Sequence, residues 1–357
     1  MPDSFGGIES TVREIISQTS KFGVNSKILV LSKNNEPECI NFENIEIWRA
    51  KKITTIASCG IPNLKIVSLY KRLSNWAEII HFHFPWPVND LLSIFINSSA
   101  KKIVTYHSDI VHQKILFKFY KPLMNVFLNQ VDRIIVTSNN YLKSSAILSN
   151  YKSKIEIVPI GITKEDYPKI SSDSLSGYKK RFGMDFFLFI GRARNYKGID
   201  VLIKAAKTST SNFILAGKNI PNDFKHSLHN DTKNILLLDE ISNEEKVALL
   251  KLSKALILPS ILRSEAFGVV LLEASMYAKP MITTELGTGT SLVNIHNKTG
   301  YVIKPNDCNE LIKAIKSIET DNEKRLEMGK EAYKNFRKNY LGSEMGESHK
   351  KIYSSLL

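Results

Sequence analysis

Two carboxylates stand in the otherwise apolar stretch "SEAFGVVLLE" (264–273), Glu265 just ahead of a glycine and Glu273 eight residues later. If the segment is helical, they lie roughly 12 Å apart. That is too far to share a proton, so a paired acid/base reading fails. The spacing suits two ends of one extended ligand, with Glu265 at a sugar and Glu273 at a ribose diol, because both carboxylate oxygens accept hydrogen bonds. The plain alternative is a surface glutamate and a capping one. Upstream, "GRARNYKG" (191–198) sets Arg192 and Lys197 beside Gly191. Two fixed cations at a strand end, next to the free N–H groups of a starting helix, are the physical ingredients of a diphosphate site. A turn with solvated cations would read the same way, since short glycine-basic motifs recur often.

Histidines form a third group. His107 closes the run "KIVTYH" (102–107), and His81 and His83 alternate in "HFHF", so they share one face of a strand. Core or rim histidines and an acceptor-site role are both consistent with that pattern. A zinc site would need further ligands, and none lies at sensible spacing. Trp86, between two prolines in "PWP", suits stacking on a sugar or plain packing equally.

The elements that must position these residues alternate through the chain. Near-continuous apolar runs at 27–32, 78–84, 102–107, 133–138 and 154–159 predict strands of a parallel sheet buried on both faces. Six more runs follow in the second half, at 186–191, 212–217, 234–239, 255–260, 280–284 and 300–303. Helical stretches are predicted at 113–129, 139–149, 197–208, 242–252 and 268–278, and Pro122 should kink or end the first of them. This alternation is that of a doubly wound α/β protein. The polar stretch 163–183 interrupts it and reads as a linker. The expected domains are 1–165, with a C-terminal helix at about 341–357 crossing back, and 166–340. Two such domains bind ligands at the carboxyl ends of their strands, in the cleft between them.

Composition narrows the partners. The 357 residues carry a net charge of +14, and each half contributes +7. An even spread argues against a nucleic-acid-binding stripe and suits anionic substrates, an anionic membrane surface or simply solvated lysines with no role. Hydrophobic residues make up 43%, with no run long enough to span a membrane. Cys39, Cys59 and Cys308 are scattered and read as reduced thiols of a cytoplasmic protein.

Four features in order, "GGIE" at the start, the strand-end histidine of "VTYHSD", "GRARNYKG", and Glu265…Glu273 after a "PS" strand end, resemble the retaining glycosyltransferases of family 4. "HFPWP", "YHSDIVHQK" and "TELGTGTSLVN…TG" look closest to bacterial mannosyl- and rhamnosyltransferases of O-antigen assembly. The resemblance implies a GT-B fold, two Rossmann-like domains facing a central cleft. Arg192 and Lys197 match diphosphate-binding cations, and Gly191 precedes them. Glu265 with Ala266, Phe267, Gly268 and Val269 matches sugar and phosphate contacts, and Glu273 matches the ribose ligand. Gly6 and Gly7 match a loop over the phosphates, and His107 matches the active-site histidine near the transferred sugar. His83, Trp86 and Asp109 are the candidate acceptor contacts.

The implied reaction moves a hexose, mannose from GDP-mannose first of all, onto a polyprenyl-diphosphate-linked oligosaccharide at the cytoplasmic side of the inner membrane. The implied donor is a nucleotide sugar used as substrate, with no metal and no other cofactor. GDP-rhamnose and UDP-sugars are the alternative donors, and a truncated, non-catalytic sugar-nucleotide-binding protein is the alternative role. A nicotinamide enzyme would need G-x-G-x-x-G after a strand, which neither half contains. The family's first, central strand is missing ahead of Gly6. The expectation is therefore a natural start about ten residues upstream, or a damaged product of little activity.

Overall fold

The computed structural model describes residues 6–57, 59–110, 113–218 and 233–357, without the side chain of Lys114. Met1–Phe5, ahead of the opening "GGIE", and Val111–His112 of "YHSDIVHQK" lie outside the described residues, as does any strand ahead of Gly6. The chain forms two compact units, Met1–Ile160 with Gly342–Leu357, and Gly161–Leu341.

In the first unit the strands divide between two sheets. β1 (Lys27–Ser32) pairs in parallel with β3 (Ile45–Ile56), which also pairs antiparallel with β2 (Cys39–Phe42) and β4 (Cys59–Pro62). β5 (Ile79–Phe84), β6 (Lys101–Tyr106), β7 (Arg133–Val136) and β8 (Ile155–Ile157) form a parallel sheet in chain order. Among the described residues, no strand pairs with the second edge of β1 or of β5. This departs from the single parallel sheet expected of the first half, and sequence analysis missed β2, β3 and β4 altogether. In β3 the run "IEIWRAKKITTI" is broken by Arg49, Lys51 and Lys52, and its second half is largely exposed, as an antiparallel strand with one wet face permits.

Helix Gly7–Ser20 and helix Gly342–Ser354 pack on this second sheet. Ile15, Met345 and Ile352 close a core cluster over Ile103, Ile135 and Val158. The predicted helix at 113–129 runs Lys114–Gln130, and Pro122 does not end it. The ring crowds the carbonyl four residues back and removes one N–H bond, and Pro122 lies on the exposed face.

The second unit holds one parallel sheet in the order β11-β10-β9-β12-β13-β14. The strands are β9 (Phe187–Ile190), β10 (Phe213–Ala216), β11 (Ile235–Leu238), β12 (Ala255–Leu258), β13 (Met281–Thr284) and β14 (Gly300–Ile303). Numbered within the unit, this is 3-2-1-4-5-6, the doubly wound order whose direction reverses between β9 and β12. β9, β10, β12 and β13 are almost entirely buried, as their apolar sequences require.

Side-chain caps start several helices of this unit. Ser242 and Glu245 form a reciprocal capping box on Asn243–Leu252, and Asp307 and Asp321 cap the helices that follow them. The stretch read as a linker is half helix, Ser172–Phe182. Ser171 caps its start, Lys179, Lys180 and Arg181 suit the dipole at its end, and Arg181 pairs with Glu245.

Two helical glycines should respond to alanine with opposite signs. Gly329, inside Asn322–Asn339, has no room for a Cβ, which would collide with the carbonyl oxygen of Ala278. Gly177, inside Ser172–Phe182, has nothing near its Cβ position. Gly177→Ala is expected to stabilise the protein by about 0.5–1 kcal/mol and Gly329→Ala to destabilise it by at least about 1 kcal/mol. Urea midpoints of the two variants check this; a midpoint for Gly329→Ala at or above wild type would contradict the packing.

Candidate active site

In the second unit, the two motifs with candidate chemistry leave adjacent strands at the reversal point. "GRARNYKG" follows β9 and "PSILRSEAFG" follows β12, and open parallel sheets bind ligands in that crevice. Gly198, the residue ahead of helix Ile199–Lys207, has φ +65°, and any Cβ there would collide with the carbonyl of Pro259. Only glycine lets the first loop come that close. The amide of Ile261 then donates to the carbonyl of Tyr196 at 2.7 Å.

This contact aligns the charged residues. Lys197 Nζ forms a buried ion pair and hydrogen bond with Glu265 Oε2, which also accepts from Ser260 Oγ at 3.0 Å. Burial works against the Lys197 ammonium, but Glu265 and Tyr196 more than offset it, and its pKa lies above the ordinary lysine value. The Glu265 carbonyl accepts from Thr288 Oγ1 at 2.9 Å. Phe267 is buried, and Ala266 accepts from the amide of Gly289 at 2.8 Å. Gly268, at φ +80°, opens helix Val269–Met276, whose first N–H groups have no acceptor within the helix. Gly191 begins the neighbouring loop, with its amide donating to Ala216, and Arg192 follows it.

Glu273 is buried in that helix, and its Oε1 accepts from Lys246 Nζ at 2.7 Å and from the Tyr167 hydroxyl at 2.9 Å. Lys246 also lies over the Tyr167 ring, 5.1 Å from its centroid. Ser260, Thr288, Lys246 and Tyr167 were all missed by sequence reasoning. A signal existed for Ser260, the serine of the "PS" strand end. Tyr167 and Lys246 are remote in sequence from Glu273 and gave none.

The first unit gathers the histidines. His107 follows β6 and donates its amide to Phe84 at 3.0 Å, which puts it beside β5. Its Nε2 lies 2.9 Å from His83 Nδ1, and the rings are 5.1 Å apart at 19°. His81 stacks on His83 at 4.8 Å and contacts the Tyr353 hydroxyl (2.8 Å) and Thr105 Oγ1 (2.7 Å). His349 lies 5.7 Å from His81; its Nδ1–H donates to the Met345 carbonyl, and its buried Nε2 has no partner among the described residues. Burial lowers the pKa of all four, to about 4 for His107 and His349.

The three acceptor candidates are tied to the protein itself. His83 faces His107, Trp86 Nε1 donates to the Gly60 carbonyl at 3.0 Å, and Asp109 accepts from the hydroxyls of Tyr106 and Ser145, each at 2.8 Å. Gly6 precedes helix Gly7–Ser20, with the Glu9 carboxylate folded against it. A further unforeseen residue is Asp90, which accepts from the Tyr120 hydroxyl and whose carboxyl burial pushes up to about 7. Among the described residues, no three His, Cys, Asp or Glu side chains converge as metal ligands would.

Residues 5–166 match the profile described as Glycosyltransferase Family 4, and residues 178–335 that of Glycosyl transferases group 1. D-rhamnosyltransferase WbpZ of Pseudomonas aeruginosa is 35% identical over 339 residues, 94% of this chain and 89% of that protein. The chain belongs to the group 1/family 4 glycosyltransferases. It is a hexosyltransferase by enzyme class. O-antigen chain mannosyltransferase C of Escherichia coli is 32% identical over 359 residues, 100% of this glycosyltransferase and 96% of the relative.

The fold is GT-B. Sucrose-phosphate synthase from Thermosynechococcus elongatus superimposes with a TM-score of 0.81 at 18% identity, over 99% of this chain and 94% of that one. Anabaena HepE, solved with UDP and glucose, gives 0.79 at 15% identity, over 98% and 96%.

Two outcomes follow for this glycosyltransferase. Lys197→Met leaves the Glu265 carboxylate buried without its cation, so about 3–5 kcal/mol of stability should be lost. Adding Glu265→Gln should restore part of it; denaturant unfolding that finds Lys197→Met as stable as wild type would refute the pairing. The histidines make stability depend on pH. Their folded pKa values lie below the unfolded value of about 6.5, so the unfolded chain takes up protons first as pH falls. Tm should therefore hold above about pH 6.5 and fall between about 6.5 and 4. Thermal unfolding of His349→Gln across that range should show a shallower fall than wild type, and an equal slope would count against the histidine cluster as its cause.

Proposed function

We propose that this glycosyltransferase is a retaining, metal-independent enzyme that moves mannose from GDP-mannose onto a polyprenyl-diphosphate-linked oligosaccharide in O-antigen assembly. The observation that carries the reading is the convergence of Lys197, Glu265, Arg192 and the start of helix Val269–Met276 at the reversal point of one sheet. The anomeric C–O bond breaks, and the leaving diphosphate keeps the electron pair. Arg192, Lys197 and the helix N–H groups stabilise that charge. The acceptor hydroxyl bonds to the anomeric carbon from the same face and gives its proton to the departing phosphate oxygen. Glu265 orients the sugar hydroxyls while holding Lys197 in place. Glu273 accepts the ribose diol, with Oε1 already shared by Lys246 and Tyr167. To His107 we assign the role of the active-site histidine that hydrogen-bonds the transferred sugar.

The E. coli relative named as an O-antigen chain mannosyltransferase supports mannose and this pathway. The P. aeruginosa relative, named a D-rhamnosyltransferase, favours a second reading in which GDP-rhamnose is the donor. A lipid-linked acceptor at the cytoplasmic face of the inner membrane is supported by helix Lys114–Gln130. It exposes Ile115 (75%) and Phe119 (82%) beside the exposed Lys118 and Lys121, a combination that favours an anionic lipid surface. No described helix is long and apolar enough to cross a membrane.

The test supplies GDP-mannose, GDP-rhamnose or UDP-glucose with membranes carrying lipid-linked oligosaccharide, and measures nucleoside diphosphate release. GDP-mannose should turn over fastest, excess EDTA should leave the rate unchanged, and Arg192→Ala should lower kcat about 100-fold or more. Turnover with UDP-glucose alone would sink the donor assignment. Loss of activity in EDTA that a divalent ion restores would overturn the metal-free mechanism.

A further inference from the structure

We infer that His83 is a positioning residue for His107, fixing the ring and its proton so that a single nitrogen edge is presented to the transferred sugar; this rests on the proposed role of His107. Backbone geometry brings the two together. His83 of β5 is in register with Thr105 of β6, and His107, two residues beyond Thr105, lies on the same face. The His107 amide is fastened to Phe84, next to His83 in the chain. The outcome is the 2.9 Å contact between His83 Nδ1 and His107 Nε2, with the rings nearly parallel.

Two neutral imidazoles in that contact share one proton between the facing nitrogens, so one donates and the other accepts. The tautomer of His107, and thus whether its Nδ1 donates or accepts, is coupled to that of His83. The groups behind His83 limit its freedom in turn. His81 stacks on it, and His81 is held by the Tyr353 hydroxyl and Thr105, with His349 alongside. None of these four neighbours carries a fixed charge. His83 is therefore braced from behind and presents Nδ1 forward, which is the arrangement of a support and not of an acceptor ligand.

Asparagine and glutamine separate this role from simple packing. The amide of asparagine at position 83 reaches the place of Nδ1, whereas glutamine places its amide near that of Nε2. The assay is nucleoside diphosphate release from GDP-mannose with the same membranes, alongside affinity for free GDP and Tm. His83→Leu should lower kcat at least tenfold, with GDP affinity within twofold of wild type, because Arg192, Lys197 and Glu273 belong to the other unit. His83→Asn should recover most of that loss and His83→Gln should not. Wild-type turnover in His83→Leu, or equal defects in His83→Asn and His83→Gln, would overturn the inference. If His83→Leu does not fold, the Asn and Gln variants decide it by the same comparison. His107→Leu is the control for the underlying reading. If it keeps full turnover, the role of His107 fails; if it is inactive while His83→Leu is unimpaired, only the positioning role fails.

Discussion

The buried ion pair between Lys197 and Glu265 is the interaction on which the candidate site of the second unit depends. The two residues follow different, parallel strands, and the strand order reverses between those strands, so their loops lie at the switch point where such sheets bind ligands. A buried ion pair is weak evidence for stability, since desolvating both ions costs about as much as their attraction returns. Its value here lies in direction. The pair, the Ile261–Tyr196 hydrogen bond and the close approach at Gly198 hold a cation and a carboxylate where a sugar diphosphate would need both.

Much of the second unit was legible because its signals were local. Short apolar runs gave five strands within a residue or two at each end, and the β14 run at 300–303 matches in full. "GRARNYKG" and "SEAFG" stood at strand exits, where chemistry collects. The pairing of Lys197 with Glu265 was not legible, because it joins residues 68 positions apart and depends on which strand lies beside which. The same holds for Tyr167 and Lys246 on Glu273. The helix Ser172–Phe182 was hidden for another reason: its exposed polar sequence lacks an apolar stripe, and its caps carry the signal.

In the first unit, the periodicity rule worked for β5 to β8 and failed for β2 to β4. Charged residues within β3 and the shortness of its antiparallel neighbours leave little pattern to read. The histidines were seen as a shared face of one strand. What the sequence could not disclose is that β6 brings His107 into line with them and that the C-terminal helix adds His349 and Tyr353. The alternation in "HFHF" therefore reports a cluster built from three separate segments.

The two units differ in electrostatics, and the proposed reaction has a use for each. Breaking a glycosidic phosphate bond puts negative charge on the leaving group and positive charge on the sugar ring. The second unit supplies fixed charge, with Lys197 kept cationic by Glu265 despite its burial. The first unit supplies polar groups that burial keeps neutral, His107 among them. An imidazolium beside a developing ring cation would raise the barrier, because like charges repel strongly where water is excluded. A neutral imidazole can still hydrogen-bond the sugar hydroxyls without that cost. Within the stack, neighbouring histidines add to burial in keeping His81 and His83 neutral, since a proton on one disfavours a proton on the next. Burying four histidines gives up some stability at acid pH and keeps the cluster uncharged.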